Sequence, residues 1–388
     1  MEREVFDVSA VRCADYRPER VYAALRQSLD AVDGLAWLKP GMKVAVKANL
    51  VAACKKEAAA TVHPTVLAQL TRILLEAGAG QVVIGDSPGG LFNEVNLRHV
   101  YDVTGMEEAR QAGAVLNDDF REKAGSFPEA AVLKSFHYTA WLDSADAVID
   151  VCKLKSHGMM GFSGAAKNMF GVIPGTQKPE YHFRFPELEK FTEMLLDLDT
   201  FFHPVLCIAD GVVGMEGNGP TQGKPKQIGV LAASASPHAL DLVCAELLGM
   251  HPQEVPTLAA AQRRGLIPQT ARELRVDGDM DALRVTDFKT IAVRHDLTFR
   301  DAAGGRLLGE LFSRVVGKAL SSRPEVTAKE CIGCGKCAAI CPAGAITMQD
   351  RLPQIDREKC IRCFCCQEFC PKGAMKVHRT WLAKLLTK

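Results

Sequence analysis

Eight cysteines near the C-terminal end fall into two copies of one spacing, C-x2-C-x2-C-x3-C, each followed by proline. The copies read CIGCGKCAAICP over 331–342 and CIRCFCCQEFCP over 360–371. A tight loop with three cysteines can bind three corners of a cubic iron–sulfur cluster, and the fourth corner then needs a thiolate from elsewhere. The spacing therefore predicts two [4Fe–4S] clusters and a protein that handles electrons.

The same spacing resembles that of two-cluster bacterial ferredoxins, in which the fourth cysteine of each run binds the other cluster. The expected ligand sets are Cys331, Cys334, Cys337 and Cys370 for one cluster, and Cys360, Cys363, Cys366 and Cys341 for the second. Zinc ribbons use two separated cysteine pairs, and disulfide frameworks are typical of short secreted chains. Iron–sulfur clusters are therefore the favoured interpretation.

The two copies also match outside their cysteines. Matching positions are Ile332 and Ile361, Gly344 and Gly373, and Ala345 and Ala374. Each copy ends in a strand-like stretch, at 346–348 and at 375–377, so the repeat predicts a pseudo-twofold βαβ pair. Cys365 is a surplus thiol beside Cys366, and only Cys366 keeps the repeat spacing, so we expect Cys365 to be a bystander.

Composition limits the remaining choices. The chain has 388 residues, 47% hydrophobic and 24% charged, which suits a soluble globular protein with one large domain and a small module. A net charge of +1 gives no general attraction to nucleic acid. We expect no transmembrane segment and no secretion signal, and the five scattered cysteines read as reduced thiols, so a cytoplasmic location is predicted. These cysteines are Cys13, Cys54, Cys152, Cys207 and Cys244.

Apolar segments before the cysteines alternate between strand and helix patterns. Strands are predicted at 42–46, 81–84, 114–116, 145–151, 204–209 and 227–232, and helices at 65–77, 107–112, 186–201, 237–248, 306–320 and 380–388. This alternation is typical of βαβ units. The predicted fold is a large, mostly parallel-sheet α/β domain (1–296), a helical linker (297–325) and a small α+β two-cluster ferredoxin-like domain (326–388).

Polar residues follow the predicted strands where each strand stops, which is the edge at which open α/β sheets bind ligands. The candidate substrate-binding residues are Lys47, Asn49, Asp86, Ser87, Lys153, Lys155, Asn168, Asp210, Glu216 and Asn218. Four of the basic residues lie in the glycine-punctuated segment 152–175, which is predicted to be a loop. Ammonium groups and glycine backbone favour an anion there, and His157 and Lys167 are the candidate proton donors.

Six short motifs resemble the domain of unknown function 362 family. They are KANL at 47–50, HP at 63–64, GDSPGG at 85–90, KLKSH at 153–157, GAAKNMFG at 164–171 and DGVVGMEGNGP at 210–220. Members of that family are commonly fused to a two-cluster ferredoxin module, as this chain is. The resemblance covers roughly 5–295, and it implies an α/β domain with iron–sulfur redox chemistry. It also implies that most of the candidate residues share one site, but it supplies no reaction.

Two functions follow from these observations. The first is a ferredoxin-type oxidoreductase, which passes electrons through two [4Fe–4S] clusters to a small anionic substrate held by the lysine-rich segment. The second is a non-catalytic electron-transfer or adaptor protein that docks a partner enzyme through the α/β domain. Both require a redox partner protein as electron donor or acceptor, and neither involves nucleic acid.

Overall fold

A computed structural model describes residues 5–291 and 323–378. Within these ranges, nine strands form one sheet in the order β11-β1-β10-β9-β7-β2-β3-β4, with β8 beside β7. They are β1 (Val8–Arg12), β2 (Lys43–Ala48), β3 (Gln81–Gly85), β4 (Val115–Leu116), β7 (Ala147–His157), β8 (Gly161–Ser163), β9 (Leu206–Glu216), β10 (Lys224–Ser234) and β11 (Val276–Asp277). A separate hairpin is formed by β5 (Glu122–Ser126) and β6 (Ser135–Thr139).

The predicted α/β architecture is confirmed. The five strands from β9 to β4 run parallel, and β10 pairs antiparallel with both of its neighbours. The helices of this domain are α1 (Pro18–Ala31), α2 (Pro64–Glu76), α3 (Glu94–Thr104), α4 (Glu107–Gln111), α5 (Ala165–Asn168), α6 (Lys178–Arg184), α7 (Leu188–Phe202), α8 (Pro237–Leu247), α9 (Pro256–Arg263) and α10 (Met280–Leu283).

Helices cover both faces of the sheet, because neighbouring residues of a strand point to opposite faces. In β2, Val44 and Val46 pack in the core formed with α1, α2 and α3, whereas Ala45 packs in a second core with α7. A third core joins the sheet to α8 and α9. Strands buried on both faces read as nearly continuous apolar runs, which is why the central strands could be recognised in the sequence.

Two strands are much longer than predicted. β7 continues to His157 and β9 continues to Glu216, so Lys153 and Lys155 lie inside a central strand and not in a loop. Backbone pairing with β8 and β9 extends β7 past its apolar part. The prediction of a loop over 152–157 is therefore wrong. Backbone hydrogen bonds to β8 and β9 and hydrogen bonds made by the polar side chains keep this segment in a strand, although its local sequence is polar.

The cysteine-rich region forms two antiparallel strand pairs. β12 (Arg323–Val326) pairs with β15 (Met375–His378), and β13 (Ile346–Gln349) pairs with β14 (Leu352–Ile355). The short helices α11 (Lys336–Ala339) and α12 (Cys365–Glu368) each contain the third cysteine of their copy, Cys337 and Cys366. The strands at 346 and 375 are confirmed, and each copy has the predicted strand–helix–strand order, β12-α11-β13 and β14-α12-β15, with the strands paired between the two copies. A two-residue turn with positive φ at Asp350 and Arg351 folds β13 directly back onto β14.

Three predictions fall outside the described residues. They are the helix at 306–320, the helix at 380–388 and most of the linker at 297–325. Among the helices that the structure does describe, none combines the length and apolar character needed to cross a bilayer.

Candidate functional site

A chain of buried polar contacts joins the carboxyl ends of β2, β3 and β7 to α5. Lys47 Nζ lies 3.0 Å from Asp86 Oδ1 and donates to Asn168 Oδ1 at 2.8 Å. Asn49 Nδ2 donates to the same oxygen at 2.8 Å, and Lys155 Nζ donates to Asn49 Oδ1 at 2.7 Å. Five of the predicted site residues are therefore in one hydrogen-bonded network.

The network is held in place by backbone groups and by one close approach. The two carboxylate oxygens of Asp86 accept from the backbone N–H groups of Leu50 at 2.7 Å and Ser87 at 2.8 Å. A Cβ atom at Gly171 would lie 2.3 Å from both Lys47 Nζ and Asp86 Oδ1, so this position requires glycine. The Ser87 hydroxyl is buried and has no hydrogen-bond partner among the described residues.

Lys153 and Asp210 form a second buried group. Lys153 Nζ lies 2.8 Å from Asp210 Oδ2, and both side chains are at most 1% exposed. Tyr16 donates to Asp210 Oδ1 at 2.8 Å, and the backbone N–H of His63 donates to Oδ2 at 2.9 Å. The rings of Tyr16 and His63 stack with centroids 3.7 Å apart. Both oxygens of the Asp210 carboxylate are hydrogen-bonded to groups of the protein. This favours a role for Lys153 and Asp210 in holding the surrounding strands in place.

His157 faces the cysteine-rich module. Its Nε2 lies 3.0 Å from Glu368 Oε1, and its Nδ1 accepts from the backbone N–H groups of Met159 and Met160 at 3.1 and 3.2 Å. Because Nδ1 is an acceptor, the neutral ring carries its proton on Nε2. Burial, with the charge of Lys167, lowers the pKa of His157 to about 4, so the ring is neutral at pH 7. Burial opposes ionisation of Glu368, but the contact with His157 and the nearby cations lower its pKa to about 2.

Three lysines near Glu368 form no ion pair with a carboxylate within 5–291 and 323–378. Lys155 donates only to neutral oxygens, Lys178 donates to the Ser87 carbonyl, and Lys167 lies over the ring of Phe170. Burial lowers the pKa of Lys155 and of Lys178 to about 7, and it also lowers the pKa of Lys167. Desolvated ammonium groups that outnumber the nearby carboxylates, Glu368 and Asp86, produce a positive site that favours anions.

The module docks directly against this site. Gln367 Nε2 donates to the backbone carbonyl of Asn218 at 3.1 Å, and the Val377 N–H donates to Asn218 Oδ1 at 3.4 Å. Phe364 is 1% exposed and packs in the α7 core of the α/β domain. Phe369 lies over Gly89, where a Cβ atom would come within 2.7 Å of its ring. The second cysteine copy therefore forms one wall of the lysine-rich site.

Two predicted site residues lie apart from the lysines. Asn218 contacts Gln367 and Val377 of the module. Glu216 Oε2 accepts from the backbone N–H of Lys289 at 2.9 Å, which links β9 to a neighbouring loop. A substrate-binding role for these two residues stays a prediction, and neither forms a contact with the lysine network in the described part of the chain.

Several residues of the site were not predicted. They are Tyr16, Lys178, His182, Gln367 and Glu368. His182 is 4% exposed and stacks on Phe191 with centroids 4.4 Å apart, and burial lowers its pKa to about 3 although the nearby charge of Glu368 acts to raise it. One sequence signal could have located the module residues, because they interrupt the internal repeat. Gln367, Glu368 and Phe369 stand where the first copy has Ala338, Ala339 and Ile340.

The cysteines are arranged as two groups. A cavity is lined by Cys331, Cys334, Cys337 and Cys370, which mixes three cysteines of the first copy with the last of the second. Burial raises the pKa of Cys366 well above the ordinary value, and the charges of Cys337 and of the other three thiols of its predicted set raise it further. These three are Cys363, Cys360 and Cys341.

Both copies also make the same backbone contact to sulfur. The Ala345 N–H donates to Cys341 Sγ at 3.3 Å, and the Ala374 N–H donates to Cys370 Sγ at 3.2 Å. Hydrogen bonds of this kind to cluster sulfur are one of the means by which proteins set cluster potentials. No three His, Cys, Asp or Glu side chains of the described ranges converge on a point that would hold a single metal ion.

Comparison with protein families gives two matches. Residues 44–246 match the family described as domain of unknown function (DUF362), and residues 330–374 match the 4Fe-4S dicluster domain. A curated relative, named thylakoid-associated protein, comes from Synechocystis sp.. It is 35% identical over 275 residues, which cover 70% of this chain and 83% of the relative.

Solved structures show only a distant likeness. A crystal structure of a Thermotoga maritima protein matches with a TM-score of 0.36 and 12% identity, covering 57% of this chain and 56% of that one. The lactate racemase apoprotein of Thermoanaerobacterium thermosaccharolyticum matches with a TM-score of 0.39 and 13% identity, covering 62% of this chain and 56% of the other. The matched regions span about half the length of both proteins, and no activity follows from them.

These findings agree with the resemblance noted in the sequence. The dicluster domain supports an iron–sulfur electron-transfer role for the C-terminal module. The larger match includes β3, β7 and α5 and nearly all of β2, the elements that carry the lysine network. The chain therefore belongs to the DUF362 family, as a member that carries a 4Fe-4S dicluster domain after its α/β domain.

Proposed function

We propose that the protein is an iron–sulfur oxidoreductase that reduces a small anionic substrate at the lysine-rich edge of its sheet. One observation carries the proposal. The helix α12 of the second cysteine copy places Glu368 3.0 Å from His157 and near enough to Lys155, Lys167 and Lys178 to influence their pKa values, so the electron-carrying module and the cationic site share one boundary. A plain electron carrier needs no such boundary with a buried cationic site.

The cofactors proposed are two [4Fe–4S] clusters with exchanged fourth ligands. Cys331, Cys334, Cys337 and Cys370 would hold the first, and Cys360, Cys363, Cys366 and Cys341 would hold the second. When bound, such clusters supply electrons one at a time. The cavity that combines Cys370 with the first copy supports this assignment, because sequence order alone would leave Cys370 with the second copy.

The lysines would bind and orient the anion. Glu368 supports this role, since its carboxylate already lies among Lys155, Lys167 and Lys178, whose pKa values respond to its charge. The site therefore accommodates a carboxylate. A two-electron reduction takes up two protons, and the ammonium group of Lys167 is the proposed donor of one of them. His157 is the proposed donor of the other, and its neutral ring must first take up a second proton to act as an acid.

Loss of Lys167 should slow oxidation of the reduced protein by its substrate. Lys167→Ala removes a charge without breaking an ion pair of the described residues, so the fold should persist. Loss of this charge should weaken stabilisation of the transition state and slow the reaction by about 100-fold. The reduced holoprotein would be mixed with a panel of small carboxylates, oxyanions and phosphates, and cluster absorbance followed by stopped flow. Lys190→Ala, on an exposed part of α7, is the matched control.

The same experiment separates the two candidate functions. Suppose that no small anion oxidises the reduced protein, and that a protein partner oxidises Lys167→Ala as fast as the parent protein. The chain is then an electron-transfer adaptor. Equal rates for Lys167→Ala and the parent protein with an effective small anion would contradict the role given to the lysines.

Anion binding should weaken as the pH rises from 6 to 9. Lys155, whose pKa is lowered to about 7 by burial and then by the charge of Lys167, is protonated only below that pH. The facing groups Cys54, Glu368 and Asp86 act in the opposite direction. A bound anion favours the protonated amine, so affinity should fall by up to about ten-fold per pH unit above 7. Titration calorimetry with malonate measures this, and a flat profile up to pH 9 would contradict the lowered pKa.

A further inference from the structure

The first cysteine copy opens to solvent, whereas the second faces the α/β domain. Cys334 is exposed, and the cavity that it lines with the other three thiols has Ile332 and Met348 at its edge. These two apolar side chains are 49% and 36% exposed. Exposed apolar residues grouped at one opening mark an interaction surface more often than isolated ones do.

Two lysines complete the edge of this cavity. Lys336 and Lys372 line it and are exposed, and in the described parts of the chain neither forms an ion pair with a carboxylate. Over 323–378 the chain carries nine Lys and Arg against six Asp and Glu, a net charge of +3, although the whole chain is only +1. We call this group of residues, Ile332, Lys336, Met348 and Lys372, the entry surface.

The internal repeat shows what the entry surface corresponds to. Residues of the second copy lie 29 positions after those of the first, so Lys336 corresponds to Cys365 and Gly335 to Phe364. Phe364 and Cys365 are 1% and 2% exposed, because the α/β domain covers them. The equivalent face of the first copy has no such cover from the described residues. One half of a pseudo-symmetric module is therefore docked, and the other half presents the same face to solvent.

We propose that the entry surface docks an acidic redox protein, which donates electrons to the first cluster. This inference rests on the proposed function, because it requires a cluster on Cys331, Cys334, Cys337 and Cys370. One electron leaves the reduced centre of the partner and reduces the cluster, and no bond forms or breaks. An apolar centre with a basic rim is complementary to a partner that has an apolar centre and an acidic rim.

An anionic membrane would also attract lysines and exposed apolar side chains, but a redox protein fits the surface better. The cavity between the lysines leads to the thiols themselves, so a docked protein brings its redox centre next to the cluster. A lipid surface would cover that opening without supplying an electron. The two occupants give different results in the experiment below.

The test uses the full-length holoprotein and its charge-reversed double variant Lys336→Glu/Lys372→Glu. The probe is an acidic [2Fe–2S] ferredoxin, kept reduced, and the readouts are its dissociation constant and the rate at which it reduces the clusters. At low salt we expect the double variant to bind the ferredoxin about ten-fold more weakly than the parent protein does. We also expect its clusters to be reduced about ten-fold more slowly. The difference should disappear at about 500 mM salt, where charges are screened. Lys39→Glu, before the amino end of β2, should behave as the parent protein.

Three results would overturn the inference. The first is an unchanged dissociation constant and rate in the double variant at low salt. The second is an equal loss of ferredoxin binding and of reduction rate in the control Lys39→Glu. The third is binding to phosphatidylglycerol vesicles that requires both lysines, together with ferredoxin binding that does not depend on either lysine. Electron paramagnetic resonance of each variant separates this inference from the proposed function. Absence of cluster signals in the parent protein removes both, whereas intact signals with unchanged rates remove only the entry surface.

Discussion

Replacement of Cys370 by serine should remove the first cluster, although Cys370 belongs to the second cysteine copy. The cavity lined by Cys331, Cys334, Cys337 and Cys370 places this thiol with the opposite loop. Iron per chain should fall by about half, because one of two four-iron clusters is lost. Cys365→Ser is the control. Cys365 is more deeply buried than Cys370, at 2% exposure, but it does not fit the repeat spacing, so this variant should keep its full iron content.

The residual spectra decide which cysteines act together. If the fourth ligands are exchanged, Cys334→Ser and Cys370→Ser should leave the same remaining cluster signal in electron paramagnetic resonance. Cys363→Ser and Cys341→Ser should leave the other one. Ligation in sequence order would instead pair Cys334→Ser with Cys341→Ser, and this outcome would contradict the proposed ligand sets. Loss of iron in Cys365→Ser would show that the register beside Cys366 was assigned wrongly.

Much of the architecture could be predicted because its signals are local. The apolar runs of β2 and β3 and the proline-initiated α2 between them specify a parallel βαβ unit without reference to the rest of the chain. Lys47 and Asp86 follow from the same logic, since the ends of neighbouring parallel strands meet at one edge. Their contact at 3.0 Å agrees with that expectation.

The parts that could not be predicted depend on partners distant in the chain. β7 reaches His157 because β8 and β9 pair with it, and Lys153 is tolerated within it because Asp210 and Tyr16 satisfy its charge. Polarity therefore indicated a loop where pairing makes a strand. Glu368 lies 211 positions after His157, and only its departure from the internal repeat marks it in the sequence. The site belongs to the assembled protein, so neither domain's sequence describes it alone.

Asp210→Ala should lower the free energy of unfolding by about 3–5 kcal/mol, because it leaves the ammonium group of Lys153 buried without its carboxylate. Both side chains are at most 1% exposed, and Tyr16 and the His63 N–H lose an acceptor as well. Urea unfolding followed by circular dichroism measures the change. Asp287→Ala is the matched control, since Asp287 pairs with Lys226 at the surface and is 74% exposed, and its removal should leave the unfolding curve unchanged.

A double variant shows whether the pair acts through charge. Lys153→Met/Asp210→Asn removes both charges and keeps both volumes, so it should recover part of the stability that Asp210→Ala loses. Recovery together with normal malonate binding would assign Lys153 and Asp210 to holding β7 and β9 in place. Recovery with malonate binding lost would instead support their predicted contact with substrate. The double variant has no buried ammonium group at position 153. If it is no more stable than Asp210→Ala, the uncompensated charge is not the cause of the lost stability, and the electrostatic explanation is contradicted.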